Sequence, residues 1–312
     1  MSKVMTYKST QRLLLFFTVI GMLCIFKNSF ADEPEMSATS LAASYSKLDK
    51  QLSNNQFKRP LYITSAESSH DLKGEIYAVV DYPFNTVNQA LNNPEHWCDV
   101  LILHINIKYC HAAKSNQNTL LTVDLGKKFD QPLADTYRVD FNYHEVVTKT
   151  DYFAVELNAK DGPLGTHDYR IWIEATPIKN GRTFLHFTYT YSFGLSGRLA
   201  MKAYLATAGR DKVGFTILNQ TISSKSTDTK VDTKTEYIQG VRGVIERNTM
   251  RYYLAIEAYL NALNTPLEAQ LDKRLQNWYN STDQYAVQLH EVERDDYLAM
   301  KHKEYQRQQV AQ

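Results

Sequence analysis

Between Thr119 and Phe193 the sequence changes character at every second residue. Five stretches, Thr119–Leu125, Tyr137–Val147, Tyr152–Ala159, Tyr169–Pro177 and Thr183–Phe193, alternate apolar and polar side chains. A period of two belongs to a pleated strand, whose successive side chains point to opposite faces. The runs are separated by Gly126 to Pro132, Lys149-Thr150, Asp161-Gly162-Pro163 and Asn180-Gly181. An Asn-Gly pair between two alternating runs is among the strongest short hairpin signals. The pattern predicts an antiparallel meander with one face buried and the other wet.

The face expected inside carries Tyr137, Val139, Phe141, Tyr143, Phe153, Val155, Leu157, Tyr169, Ile171, Ile173, Leu185, Phe187, Tyr189, Tyr191 and Phe193. Nine of these fifteen are aromatic and five are Tyr, so the inner face combines ring surface with hydroxyl tips. The opposite face carries Arg138, Asp140, Asn142, His144, Glu156, Asn158, Arg170, Glu174, His186, Thr188 and Thr190. His144 and His186 are accordingly expected in solvent.

Helical spacing brackets the meander. Gly74–Asp81 reads as a strand, and Pro83 then opens a helix with Phe84, Val87 and Leu91 on one face. Pro94 starts a second helix carrying Trp97 and Val100–Leu103. After the meander, Gly194–Gly209 is helical and rich in small residues, and Lys212–Leu218 is extended. Thr221–Glu236, with 14 Ser, Thr, Lys, Asp or Glu in 16 positions, reads as a solvated loop. Val241–Leu263 is the longest amphipathic helix, with a stripe of Val241, Val244, Ile245, Tyr252, Ile256, Tyr259, Leu260 and Leu263. Residues 265–312 read as a charged helical extension fraying toward its end, through which a protein partner can be contacted.

Strand, two short helices, antiparallel strands and one long helix form an order that resembles the START-like, or helix-grip (SRPBCC), superfamily. The residues carrying the resemblance are Tyr77–Asp81, Pro83-Phe84 with Val87 and Leu91, Pro94 with Trp97, the meander, and Val241–Leu263. It covers roughly residues 70–264, and its most characteristic stretch, Asp81–Trp97, holds no catalytic residue. The resemblance implies an α+β fold, a curved antiparallel sheet gripping the long helix, and a hydrophobic cavity between them. Members bind lipids, sterols, polyketides or hormones, and a minority are cyclases or hydrolases.

The N-terminus speaks to location. Lys3, Lys8 and Arg12 precede a 14-residue apolar run, Leu13–Phe26, and Ser29-Phe30-Ala31 offers a small-residue cleavage site. A helix of that length rises ~21 Å, short of the ~30 Å hydrocarbon core. Residues 1–31 are therefore expected to be a signal peptide cleaved after Ala31, followed by an N-terminal arm (32–69), and the mature protein to be periplasmic or secreted. Cleavage leaves 31 basic and 34 acidic side chains, a net of −3, without the basic excess that nucleic acid binding needs. It also leaves one cysteine pair, Cys98 and Cys110, expected to be a disulfide in an oxidising compartment. A straight strand over Leu103–Cys110 would carry Cys110 too far away. The bridge therefore predicts helix through about His104 and an irregular return. Zinc on these cysteines with His104 and His111 would fit no compact finger or zincin spacing, and neither metal nor cofactor is expected.

The candidate ligand-binding residues are Tyr137, Phe141, Tyr143, Phe153, Tyr169, Phe187, Tyr189 and Tyr191 on the sheet, with Asn248, Arg251 and Tyr252 on the long helix. Asn248 interrupts the apolar stripe, so its amide needs a partner, either a ligand or a neighbouring strand. Arg251, at the stripe's edge, suits a carboxylate or phosphate. Arg242 and Glu246 are spaced as a surface pair. His104, His111, His144, His167 and His186 offer general-base chemistry, but no G-x-S-x-G, HExxH or phosphate loop accompanies them. The leading expectation is an exported carrier of a hydrophobic small molecule or lipid. The alternatives are a cavity enzyme of the cyclase or hydrolase kind, and an envelope structural or partner-binding protein with a filled core.

Overall fold

The computed structural model describes residues 36–114, 119–224 and 231–310. The expected signal peptide and its cleavage point lie outside them. Helices α1 (Ala38–Lys47) and α2 (Asp49–Ser53) lead into the hairpin β1 (Leu61–Glu67) and β2 (Asp71–Val80). Then follow α3 (Phe84–Leu91), α4 (Pro94–Leu101) and six strands, β3 (Ile107–Lys114), β4 (Thr119–Leu125), β5 (Tyr137–Thr148), β6 (Phe153–Asp161), β7 (Thr166–Ile178) and β8 (Arg182–Phe193). After α5 (Leu195–Ala206) come the hairpin β9 (Ile217–Ser224) and β10 (Val231–Tyr237) and the long helix α6 (Gly240–Leu260). Helices α7 (Leu267–Asp283), α8 (Ala286–Leu289) and α9 (Arg294–Val310) complete the described chain.

The alternating runs are strands of one curved antiparallel sheet in the order β1-β2-β8-β7-β6-β5-β4-β3. Its inner face packs against α6, chiefly through β1, β2 and β8. Asn180 and Gly181 both take positive φ, 65° and 66°, as an Asn-Gly hairpin between right-twisted strands requires. The α+β helix-grip arrangement expected from the element order is the one observed.

Several local expectations are corrected. Leu61–Glu67 is a strand at the sheet's edge, with Leu61, Ile63 and Ser65 facing in; only two of those three are apolar, so its alternation is weak. Within Thr221–Glu236, the residues Thr221–Ser224 and Val231–Glu236 are not loop but pair in strands β9 and β10. Their Thr residues suit a pleated strand as well as they suit solvent. The chain after α4 reverses through a tight turn, with Leu103 N–H donating to Val100 and His104 N–H to Leu101, before Ile107 starts β3. Cys110 therefore lies on a strand, yet its Cα is 5.2 Å from that of Cys98, and the two form a disulfide.

The outer face is not uniformly wet either. α1 and α2 cover one end of it, burying Leu41 and Leu52 against Val79, Tyr152, Trp172 and Phe184. His186 lies at this covered end, accepted by Glu174 at 2.8 Å and Glu75 at 3.0 Å and stacked on Tyr77 at 4.2 Å, rather than solvated.

The C-terminal extension covers the side of α6 that faces away from the sheet. Trp278 Nε1 donates to the Arg251 carbonyl at 3.1 Å, and Tyr297 donates to Leu103 at 2.8 Å. α9 is helical to Val310, the last described residue, and buries Tyr297, Met300, Lys301, Glu304 and Gln308. Lys108 and Lys301 share Glu304, all three fully buried, and Lys301 also donates to the His104 and Ile107 carbonyls. With both sides covered, α6 is buried around most of its circumference. That overturns the surface pairing of Arg242 with Glu246. Glu246 is fully buried and accepts from Ser65, Thr216 and the Phe215 and Thr216 amides, while Arg242 donates to Ser65. No helix of the described residues is long and apolar enough to cross a membrane.

Candidate functional site

A cavity of about 360 Å³ opens between the sheet, the middle of α6 and α5. Its sheet wall is a rack of tyrosines. Tyr169 on β7 stacks on Tyr191 of β8 at 5.2 Å, and Tyr189, two residues before Tyr191, meets it at 5.7 Å. Residues i and i+2 of a strand share a face, and antiparallel pairing sets β7 beside β8, so the alternation itself assembles the rack. Burial pushes the Tyr169 hydroxyl up to about 12 against the hydrogen bond it shares with Thr166, and raises Tyr189 and Tyr191 further. All three stay protonated near neutral pH; the Tyr169 O–H is engaged by Thr166 at 2.7 Å, and Tyr189 and Tyr191 keep O–H donors for a ligand.

The helix wall consists of Val244, Arg247, Asn248 and Arg251, spaced by three and four residues and thus on one side of α6. Asn248 is half-buried, and its Oδ1 accepts from Arg251 Nη1 at 3.3 Å. Arg251 also donates to Glu291 at 2.7 Å. α5 closes the cavity with Ala200, Met201 and Tyr204. Its start is pinned to the β6–β7 turn, where Gly194 N–H donates to the Gly165 carbonyl at 3.1 Å. Gly197 permits this approach, since a Cβ there would lie 3.2 Å from that carbonyl oxygen. Asn106 and Lys128 enter from the far end.

The sequence candidates thus divide. Tyr169, Tyr189, Tyr191, Asn248 and Arg251 line one cavity. Tyr252 sits behind them, packed on Tyr189 at 5.1 Å and stacked on His104 at 4.5 Å. Phe141 backs Tyr169, Phe153 packs on Phe84, and Phe187 is core. Tyr143 donates to Asn92 at 3.1 Å. Tyr137 belongs to the inner face by register, but it starts its strand at the rim and is 42% exposed, which corrects its expected burial. Lys128, Arg247, Tyr204 and the cover formed by α5 were not foreseen. Arg247 lies off the apolar stripe and is buried because α6 is enclosed, a tertiary fact without a local signature.

Strand, two helices, a meander returning to pair with the first long strand, and a helix seated in its concave face are now all in place. The fold is a helix grip. No protein-family profile and no curated protein matches this chain. Among solved structures it is similar to a truncated norcoclaurine synthase from Thalictrum flavum, with 10% identity, 46% of this chain and 89% of that one covered, and a TM-score of 0.32. It is similar to human StAR-related lipid transfer protein 5 at 7% identity, with 54% and 89% covered and a TM-score of 0.30. A conserved protein from Geobacillus kaustophilus gives 16% identity, 44% and 85% covered, and a TM-score of 0.30. Strand order and the enclosed helix define the fold.

None of the five histidines singled out in the sequence lines the helix-grip cavity. His104 is close behind it, but burial, then the charges of Arg251 and Lys301, hold it well below its ordinary pKa. His144 is exposed, and His167 on β7 and His111 on β3 are half-buried. The disulfide removes both cysteines as ligands for zinc, and no cluster of three or more metal-binding side chains occurs among the described residues.

Proposed function

We propose that this chain binds a hydrophobic or amphipathic small molecule or lipid between its sheet and long helix, and that it does so as an exported carrier. The observation that carries the reading is the cavity itself. Its volume, about 360 Å³, lies in the ~300–1,000 Å³ range of small-ligand sites, and an aromatic wall faces a few convergent polar groups. Rings supply apolar contact and hydroxyl donors together. Export is supported by the basic and apolar pattern of residues 3–31 and agrees with a disulfide.

The test is native mass spectrometry of the protein purified from the periplasm, followed by solvent extraction. A bound mass that leaves on extraction, on a chain beginning at Asp32, is the expected result. A chain that retains residues before Ala31 would reject export. A ligand-free chain that also fails to bind any hydrophobic probe would reject the carrier.

A further inference from the structure

The charge in this cavity is unbalanced. Arg247 and Arg251, one turn apart on α6, are only 2% and 3% exposed, and Lys128 enters the same space. The carboxylate that meets this group is Glu291. It accepts from Arg251 at 2.7 Å, from Lys128 at 2.7 Å and from Lys212 at 3.3 Å, so one acid serves three cations. Arg247 has no carboxylate partner among the described residues. It donates to the Val213 carbonyl and the Tyr204 hydroxyl, both at 3.2 Å. Arg251 Nε is buried without an acceptor among the described residues. Four cations around one carboxylate, largely withdrawn from water, is a costly arrangement unless another anion joins it. Burial, then the charge of Arg247, holds the Arg251 guanidinium below its ordinary value even beside Glu291.

The opposite wall is apolar: Tyr169, Tyr189 and Tyr191 with Met201, Ala200 and Leu164. A second cavity of about 300 Å³ shares Thr166, Tyr191, Gly197 and Met201 with the first and runs on toward Phe193, Leu205 and Val241. Space with apolar walls therefore continues along α5, away from Arg247 and Arg251, with Glu67, Arg198 and Lys202 also in its lining.

We propose that the ligand is an amphipath with one anionic head, a carboxylate or phosphate, seated among Arg247, Arg251 and Lys128, with its apolar body along the tyrosine rack under α5. This rests on the binding reading above and deepens it. Guanidinium groups suit such a head because their paired N–H donors match its oxygens. A volume near the low end of ligand cavities suits one chain or a compact ring system rather than two chains.

The mature protein is extracted of bound lipid and loaded with cis-parinaric acid as a fluorescent probe, which is displaced by dodecanoate, dodecyl phosphate, 1-dodecanol, acetate or inorganic phosphate. An anionic dodecyl compound is expected to outcompete dodecanol by at least about tenfold, the scale of one charged hydrogen-bonded contact. Arg247→Gln, checked for folding by near-UV circular dichroism, should lose most of that preference while keeping dodecanol affinity. Should this variant not fold, the acid-to-alcohol ratio in the unmodified protein decides, and Glu291→Gln, which removes the competing carboxylate, should raise that ratio. Equal displacement by dodecanol and both anionic dodecyl compounds would overturn the anionic head and leave hydrophobic binding standing. Acetate or inorganic phosphate competing as well as the chain-bearing anions would overturn the amphipath in favour of a free anion. Failure of every chain-bearing compound to bind would instead overturn the cavity reading beneath it.

Discussion

Gly74 on β2 lies directly beneath Thr249 of α6, so close that a Cβ there would collide with Thr249 Oγ1 and stand 3.1 Å from Thr249 Cβ and 3.2 Å from Ile245 Cγ1. The contact is a point of close approach between the long helix and the sheet. It depends on a strand residue without a side chain, opposite a hydroxyl already committed to the Ile245 carbonyl at 2.7 Å. Thr249 lies within the stretch of α6, Val244 to Arg251, that forms the cavity's helix wall, so this pair bears on both packing and the site.

Gly74→Ala should therefore lower stability by about 1–3 kcal/mol, the usual cost of overfilling a packed core. Thr249→Ala in the same chain should recover part of the loss, because it removes the atom struck. Denaturant unfolding of the two single variants and the double variant measures this as a coupling energy. Additive effects would mean that the helix does not rest at this point.

The meander was legible because its burial is one-sided. Tyr137–Phe193 alternates since one face meets α6 and the other largely meets water, and the period of two survives in plain sequence. The rack of Tyr169, Tyr189 and Tyr191 followed from the same pattern. α6 was legible as a helix but not as an enclosed one. Its stripe shows the side toward the sheet, whereas Glu246, Arg247 and Arg251 are buried by β1, the segment before β9 and the C-terminal helices. Arg251 meets Glu291 across 40 positions, and Glu246 meets Ser65 across 181, separations that no local pattern encodes. Polar strands such as β9 and β10 were hidden for a different reason: a Thr-rich strand and a solvated loop share a composition.

The disulfide ties α4 to β3 at the end of the sheet. No free thiol should be found in unreduced, denatured mature protein. Replacing both Cys98 and Cys110 by Ala should cost about 3 kcal/mol, as expected for a closed loop this short. Two free thiols in oxidised, exported material would show that the pair is reduced in the native protein.

His186 makes stability depend on pH. Burial disfavours its imidazolium, but hydrogen bonds to Glu174 and Glu75 and their charges outweigh that, so its pKa is raised. A raised folded pKa contributes its full stabilisation below the unfolded value, about 6.5, and loses it as pH rises through the folded value. The stability difference between the unmodified protein and His186→Gln should accordingly shrink as pH climbs across that window. Chemical unfolding at pH steps from about 6 to about 9 reads it directly. A difference that does not change with pH would mean that His186 stays neutral between the two carboxylates.

Asn248 decides whether the helix wall serves the ligand or the fold. Its amide interrupts an apolar stripe, yet its side chain is only half-buried and bonds to Arg251 rather than to a strand. Leucine in its place would strand no backbone group and would cost only the one contact to Arg251, at 3.3 Å a long one. Asn248→Leu should then change stability by less than about 1 kcal/mol, near the net value of a single hydrogen bond. Ligand affinity should fall far more, because Leu narrows the polar corner and frees Arg251 Nη1 to turn from the cavity. Thermal unfolding without ligand and probe titration on the same preparation separate the two effects. A melting temperature that drops while affinity holds would assign the amide to the fold and take it out of the site.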